Sequence, residues 1–263
     1  MITGELIVQR DENKKISTIT LNRPQFGNSL TWDLGHALQD AVKAESDWAQ
    51  CIVLAATGRN FCSGVDLQLI RKLASPEKAQ EVREKVYGSF QGLIRGIATC
   101  VIPVVARIQG PVLGVGADLV LACDIRVAST DAWFEESWIR LGTTSALGGG
   151  HILPALIGMG GTLDLLLTAR RLSAEEGHRV GIFQRLTLPD DLDREVDQVS
   201  SDIASADCAA VRATKSLVRG PDIDRLDRYL EAALEEQVSL IAREEFAQRV
   251  DSVLERISGP QKG

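Results

Sequence analysis

Three short apolar runs constrain this chain more than any other feature: CIVLAAT (51–57), PVVARIQG (103–110) and IRVAS (125–129). The first is closed by GRN and the second by Gly110-Pro111, both turn-forming. Runs of this length, rich in Val and Ile, read as strands buried on both faces, which occur where helices cover a parallel sheet. Helical stretches precede and separate them: LGHALQDAVKAE after Thr31, a candidate N-cap, before the first run, then residues 75–100 and GADLVLACD between the runs. Ahead of them, ELIVQR and ISTITLNRP flank the polar turn DENKK and read as a hairpin. The alternation predicts an α/β core with right-handed crossovers. From about residue 150 onward the pattern is nearly all helical, ending in a long amphipathic stretch over 222–256. The division expected is a core over residues 1–200 and a helical region over 201–263 that serves in assembly.

At 263 residues, one sizeable core is expected. A net charge of −7 argues against nucleic acid as the main partner, since a phosphate-binding face carries an excess of Lys and Arg. Cys51, Cys62, Cys100, Cys123 and Cys208 are scattered in apolar surroundings and read as buried reduced thiols. His36, His151 and His178 show no ligand spacing, so no metal site is expected. MITGELIVQRDENKK holds no apolar stretch long enough for a signal peptide and the sequence has no run of 18 apolar residues, so the expected setting is cytoplasm, away from membrane.

Two loops have the form that supports chemistry. FCSGVDL (61–67) and GPVLGVGADL (110–119) each carry the chain from a strand through glycines into a helix N-terminus. Backbone N–H groups there lack partners, and the helix dipole favours negative charge. Two such junctions facing each other would hold one oxygen between two N–H donors, the arrangement that stabilises an enolate or tetrahedral oxyanion. Taken singly, each loop is equally a turn, and Asp66 reads as the N-cap of the helix after it.

LNRPQFGNSL, VLAATGRNFCSGVDL, IPVVARIQGPVLGVGADLVLACDIRVAS and FEESWIRLGTTSALGGGHILPALIG, in that order, resemble the enoyl-CoA hydratase/isomerase (crotonase) superfamily over about residues 5–220. The resemblance implies a spiral of ββα units with a C-terminal helical region that builds homotrimers or hexamers. It implies a CoA thioester as substrate, with no separate cofactor and an enolate held by two backbone amides, aligned here with Ser63 and Val115. Arg23 and the loop residues Gly64, Val65, Asp66 and Leu67 are implied near CoA. Gly114, Trp138 and Leu141 complete the implied substrate-binding set, and Lys215 is a candidate to reach a neighbouring subunit's CoA.

Hydratases of the family use two glutamates. The first aligns with Asp118 and the second with Trp138, so one carboxylate is kept and the other is lost. GADLVLACDIR with SGVDL resembles the dienoyl-CoA isomerase branch most, but that branch has further carboxylates where this chain has Trp138 and Ala146. A tryptophan at the second position occurs in the 4-chlorobenzoyl-CoA dehalogenase branch, whose nucleophilic aspartate aligns with Ala146. Asp118 is therefore the expected acid/base, with a pKa raised by a Trp138-floored pocket. Glu136 is the candidate replacement partner, because positions i and i+2 of an extended segment share a face; Glu135 points the other way. The expected activity is hydration or isomerisation of an enoyl-CoA double bond. The alternatives are acyl-CoA hydrolysis at the same oxyanion hole and acyl-CoA binding without chemistry.

Overall fold

A computed structural model describes residues 4–258. Its strands are β1 (Leu6–Asp11), β2 (Ile16–Leu21), β3 (Cys51–Ala56), β4 (Val104–Ile108), β5 (Pro111–Leu113), β6 (Ile125–Ser129), β7 (Trp133–Glu135), β8 (Leu172–Ser173) and β9 (Arg185–Thr187). The helices are α1 (Trp32–Ser46), α2 (Leu67–Arg71), α3 (Ala79–Lys85), α4 (Gly92–Ala98), α5 (Val115–Ala122), α6 (Gly149–Thr168), α7 (Ala174–Arg179), α8 (Leu192–Ser205), α9 (Cys208–Ile241) and α10 (Glu244–Ser258). One sheet runs β1-β2-β3-β4-β6-β9, with only the β1/β2 hairpin antiparallel. A smaller sheet runs β5-β7-β8.

The three apolar runs form β3, β4 and β6, and all six residues of β3 are buried. Ile52 and Leu54 join the main core, while Cys51 and Val53 face Leu192, Val196 and Val199 of α8. Both faces are thus covered, which explains why these runs do not alternate with polar residues. Thr31 caps α1 as expected, accepting from the Leu34 amide at 3.1 Å. At the far end of α5, the buried Arg126 guanidinium donates to the carbonyls of Val120, Leu121 and Cys123. A cation on the unpaired carbonyls of a helix C-terminus anchors the helix that carries Asp118.

Several local expectations change. The helix expected over 75–100 opens with a 3₁₀ turn at Pro76–Lys78 and contains a π-helical turn, Val86–Gln91, between α3 and α4. Gly110-Pro111 ends one strand but also starts β5, and β8 and β9 interrupt the region expected to be helical. The amphipathic stretch expected over 222–256 does not begin a new helix, because α9 runs through Pro221. The missing N–H leaves the Leu217 carbonyl without its helical donor, and Leu217 is exposed, so water can serve instead. The amphipathic stretch instead divides between Ile241 and Glu244.

By length and composition α6 could cross a membrane, with a mean hydropathy of 1.4. Its backbone is broken at Gly158, however, which has φ 73° and ψ 166°. Two pieces of about ten residues each reach about 15 Å, half of a bilayer core.

α9 is fastened to the core by charge. Asp124 accepts from Lys215 Nζ at 2.6 Å, from the Val104 amide at 2.8 Å and from Arg219 Nε at 3.3 Å, and Lys215 also donates to the Ile102 carbonyl. The Lys215 and Asp124 side chains are only 8% and 16% exposed. Removing one member of a buried pair leaves the other uncompensated. Lys215→Met is therefore expected to lower unfolding free energy by about 3 kcal/mol, Arg219 still being present; urea denaturation reads this.

Candidate active site

The two glycine loops lie directly against each other. Cys62 and Val112 form a parallel bridge, and the Leu113 amide donates to the Cys62 carbonyl at 3.0 Å. At Gly116 a Cβ would sit 2.7 Å from Cys62 Cβ, so glycine is what lets α5 approach the first loop. Gly114, at φ 49° and ψ −116°, turns the chain into α5. The first loop is braced from the 23–30 segment. Asn28 Nδ2 donates to the Thr57 and Asn60 carbonyls, and its Oδ1 accepts from the Arg23 amide.

Among the loop amides the expected assignment shifts. The Ser63 N–H is donated to the Gly27 carbonyl at 2.9 Å and is not free for a ligand. The bridge between Leu30 and Val65 uses the Gly64 carbonyl and the Asp66 amide, so the Val65 N–H turns away from Leu30. It has no acceptor among the described residues, as is also true of Gly64. Val115 is the first residue of α5, where an N–H has no intrahelical acceptor. The free amides at the two junctions are thus those of Gly64 and Val65 on the first loop and Val115 on the second, with Val65 and Val115 each adjoining a helix start.

Asp118 lies in the first turn of α5 and is wholly buried. Its Oδ1 accepts from Ser145 Oγ at 2.9 Å and from the Gly149 amide at 2.6 Å, and its Oδ2 from Trp138 Nε1 at 3.1 Å. The Gly149 bond places the carboxylate on the N-terminus of α6, where negative charge is favoured. Three donors lower the pKa and burial raises it. Burial wins, and the carboxyl is pushed up to about 7. The direction expected from Trp138 holds, although the indole N–H itself acts the opposite way.

Glu136 is also buried, beside Asp118 rather than in solvent. A Cβ on Gly149 would lie 2.5 Å from Glu136 Oε1 and 3.0 Å from Asp118 Oδ1, so the two carboxyls flank one backbone position. Burial, then the neighbouring Asp118 charge, raises the Glu136 pKa well above the carboxylate range. Glu135 leaves the opposite face of β7 and pairs with Arg140 and Arg171, as the strand alternation predicts.

Trp138 begins a 3₁₀ turn, Trp138–Leu141. It borders an apolar slot with Trp32, Val65, Phe90, Leu141, Leu147, Ile241 and Phe246, so helices α9 and α10 supply part of the wall. Ala146 is buried, and its carbonyl accepts from Gln91 Nε2, which also donates to Leu230. Tyr229 of α9 donates from its hydroxyl to the Ser145 carbonyl at 2.9 Å. Burial and the charges of Asp118 and Glu136 raise its pKa. Ser145, Gly149, Tyr229 and Gln91 were not singled out from sequence. The triple glycine 148–150 was their one visible signal.

Other expected contacts are directed inward. Arg23 Nε donates to Glu5, and Nη1 and Nη2 reach Asp66, with further bonds to Ser29. Asp66 caps α2 through the Gln68 amide, as expected, and Leu67 is the first residue of that helix. Lys215 is held by Asp124, and His151 pairs with Asp222 at 2.9 Å. The Arg23 and Lys215 cations are thus neutralised by the protein's own carboxylates.

The profile of the enoyl-CoA hydratase/isomerase family matches residues 11–261. The chain belongs to that family. It is 33% identical to crotonyl-CoA hydratase of Syntrophomonas wolfei over 232 residues, 86% of each protein. It is 29% identical to the peroxisomal Delta(3,5)-Delta(2,4)-dienoyl-CoA isomerase of Arabidopsis thaliana over 223 residues, covering 81% of this chain and 80% of that one. Among solved structures, enoyl-CoA hydratase from Bacillus halodurans superposes with a TM-score of 0.88 at 28% identity, over 94% of this chain and 99% of that one. The fold is that of the crotonase superfamily, and this member is an enzyme of the enoyl-CoA hydratase/isomerase type that processes acyl-CoA.

Two expectations follow for stability. Gly149→Ala forces its Cβ into the carboxyl pair, an overpacking expected to cost about 1–3 kcal/mol, read by thermal melting. Folded Asp118 holds its proton up to about 7, against 3.8 for a free carboxyl, so the folded state binds more protons between these values. Stability is therefore expected to fall as pH rises across that window, and Asp118→Asn to flatten the slope in urea titrations.

Proposed function

We propose that this enzyme shifts the double bond of an enoyl-CoA thioester and hydrates it only slowly. The thioester oxygen is held by the amides of Val65 and Val115, and Asp118 carries the proton. The single observation behind this reading is the Trp138 indole bonded to Asp118 Oδ2 beside an apolar slot. Hydration needs a water oriented between two acid/base groups. Here an aromatic wall stands at the position that aligns with the second hydratase glutamate, and the exposed surface of the slot is apolar. A 1,3-shift needs no water. A base removes a proton from C2, the electron pair passes to the thioester oxygen as an enolate, and a proton returns at C4 as the double bond moves into conjugation. General acid–base catalysis of this kind contributes roughly 10²–10⁴-fold.

Asp118 suits the first step. Its Oδ2 accepts one hydrogen bond and keeps a lone pair. A pKa near 7 makes it a stronger base than an ordinary carboxylate while leaving it ionised in part at neutral pH. The thioester would lie along the Gly64–Leu67 turn beneath Gly114, with the acyl chain between Trp138 and Leu141.

Binding of acyl-CoA without chemistry is favoured by one specific observation. All three donors around Asp118 also fasten the 145–149 loop, a purely structural use of the carboxylate. Homotrimeric or hexameric assembly is supported by α6, where Met159, Leu163 and Leu167 stand exposed at four-residue spacing and form an apolar stripe.

Turnover of 2-enoyl-, 3-enoyl- and 3,5-dienoyl-CoA thioesters tests the reading, with products followed by mass and absorbance. The expected result is faster shift of a 3-enoyl substrate than hydration of a 2-enoyl one. Asp118→Asn is expected to lower kcat/KM roughly 10²–10⁴-fold. The parent kcat/KM should rise with pH through about 7 as Asp118 ionises. Tight acyl-CoA binding without turnover on any of the three substrates would favour the binding function instead.

A further inference from the structure

Glu136 is, among the described residues, a buried carboxyl whose two oxygens are both unsatisfied: it is 1% exposed, and neither oxygen has a hydrogen-bond partner. Arg140 and Arg171 pair with Glu135, on the other face of the strand, and no cation is among the groups that shift the Glu136 pKa. A buried carboxylate with no cation and no donor costs several kcal/mol, so the group persists as the neutral acid. Even a neutral polar group left unsatisfied costs about 1–3 kcal/mol. Stability alone favours an apolar residue at this position, and buried unsatisfied groups of this kind concentrate where chemistry uses them.

We propose that Glu136 is a second catalytic residue, the proton donor that complements Asp118. The inference rests on the reading of Asp118 as the base. Its geometric support is the placement of both carboxyls on one backbone position, Gly149, which has no Cβ to separate them. Trp138 then has a defined role, since its indole N–H bonds Asp118 Oδ2 and, without bonding Glu136, lies near enough to lower that pKa by less than burial raises it. One carboxyl is stabilised as an acceptor by three donors, and its neighbour is kept as an acid by having none. Environments that drive two neighbouring carboxyls to opposite protonation states divide acid from base.

The step balances as follows. Asp118 takes the C2 proton of a 3-enoyl thioester, and the C–H electron pair becomes the enolate. The dienolate then draws the Glu136 proton to C4 through its far carbon, and the double bond settles between C2 and C3. Asp118 is left protonated and Glu136 ionised. Transfer of one proton across the pair restores the starting state, with no outside oxidant, reductant or water.

The test uses 3-hexenoyl-CoA in deuterated water with the parent, Glu136→Gln and Glu136→Asp. Glutamine has the shape of the neutral acid but no acidic proton, so its melting temperature is expected to match the parent. Exchange of the C2 proton, the work of Asp118, should persist in Glu136→Gln, while the double-bond shift slows at least ~10²-fold. Glu136→Asp, which keeps an acid, should recover part of the shift. A Glu136→Gln enzyme that shifts the double bond at the parent rate would overturn the proposal and leave Asp118 as the sole carrier. Equal loss of exchange and shift in both variants would also overturn it, by showing a positioning role only. A parent that neither exchanges nor shifts would overturn the Asp118 reading, and this one with it.

Discussion

The carboxylate of Asp118 is the joint on which the active-site region closes. It sits on α5 and is met by Trp138 from the 3₁₀ turn, Ser145 from the following loop and the Gly149 amide at the start of α6. Three groups lying 20, 27 and 31 residues beyond Asp118 thus converge on its two oxygen atoms. Hydrogen bonds to a charged group are worth about 1.5–3 kcal/mol each, and burying an isolated carboxylate costs several. Burial outweighs the three bonds, which is why this carboxyl is pushed up from 3.8 to about 7.

The C-terminal helices complete this region rather than stand apart from it. Tyr229 reaches the Ser145 carbonyl, Leu230 shares Gln91 with Ala146, and Gln237 donates to the Thr144 carbonyl. Ile241 and Phe246 close the apolar slot. Leu234, Val238 and Val250 belong to the same core as the sheet. A boundary at residue 200 therefore divides one packed unit, although the helices also leave surface available for assembly.

The position aligned with the family's second carboxylate holds no carboxylate in this chain. An aromatic donor occupies that position, and a carboxyl two residues earlier is turned inward beside Asp118. Glu135 and Glu136 lie on opposite sides of the chain. One finds two arginines at the surface and the other finds none. Two adjacent residues of identical chemistry thus reach opposite environments.

Much of this was legible in the sequence. The apolar runs specify β3, β4 and β6 because burial on both faces leaves no other composition. Thr31 and Asp66 are legible as caps because their effect is local, and the segment motifs identify the family. The short strands β5, β8 and β9 were not legible, since two or three residues carry no period, and neither was the passage of α9 through Pro221. At the site, Asp118 and the alternation of Glu135 and Glu136 follow from the chain's own order. Which loop amide is free was decided by the distant Gly27 carbonyl, which takes the Ser63 N–H and leaves that of Val65. Whether Glu136 is a solvated charge or a buried acid was decided by the packing of α6 and α9 around it. Sequence determines what depends on neighbours along the chain. Hydrogen-bond satisfaction and desolvation depend on neighbours in space, and only the tertiary structure supplies those.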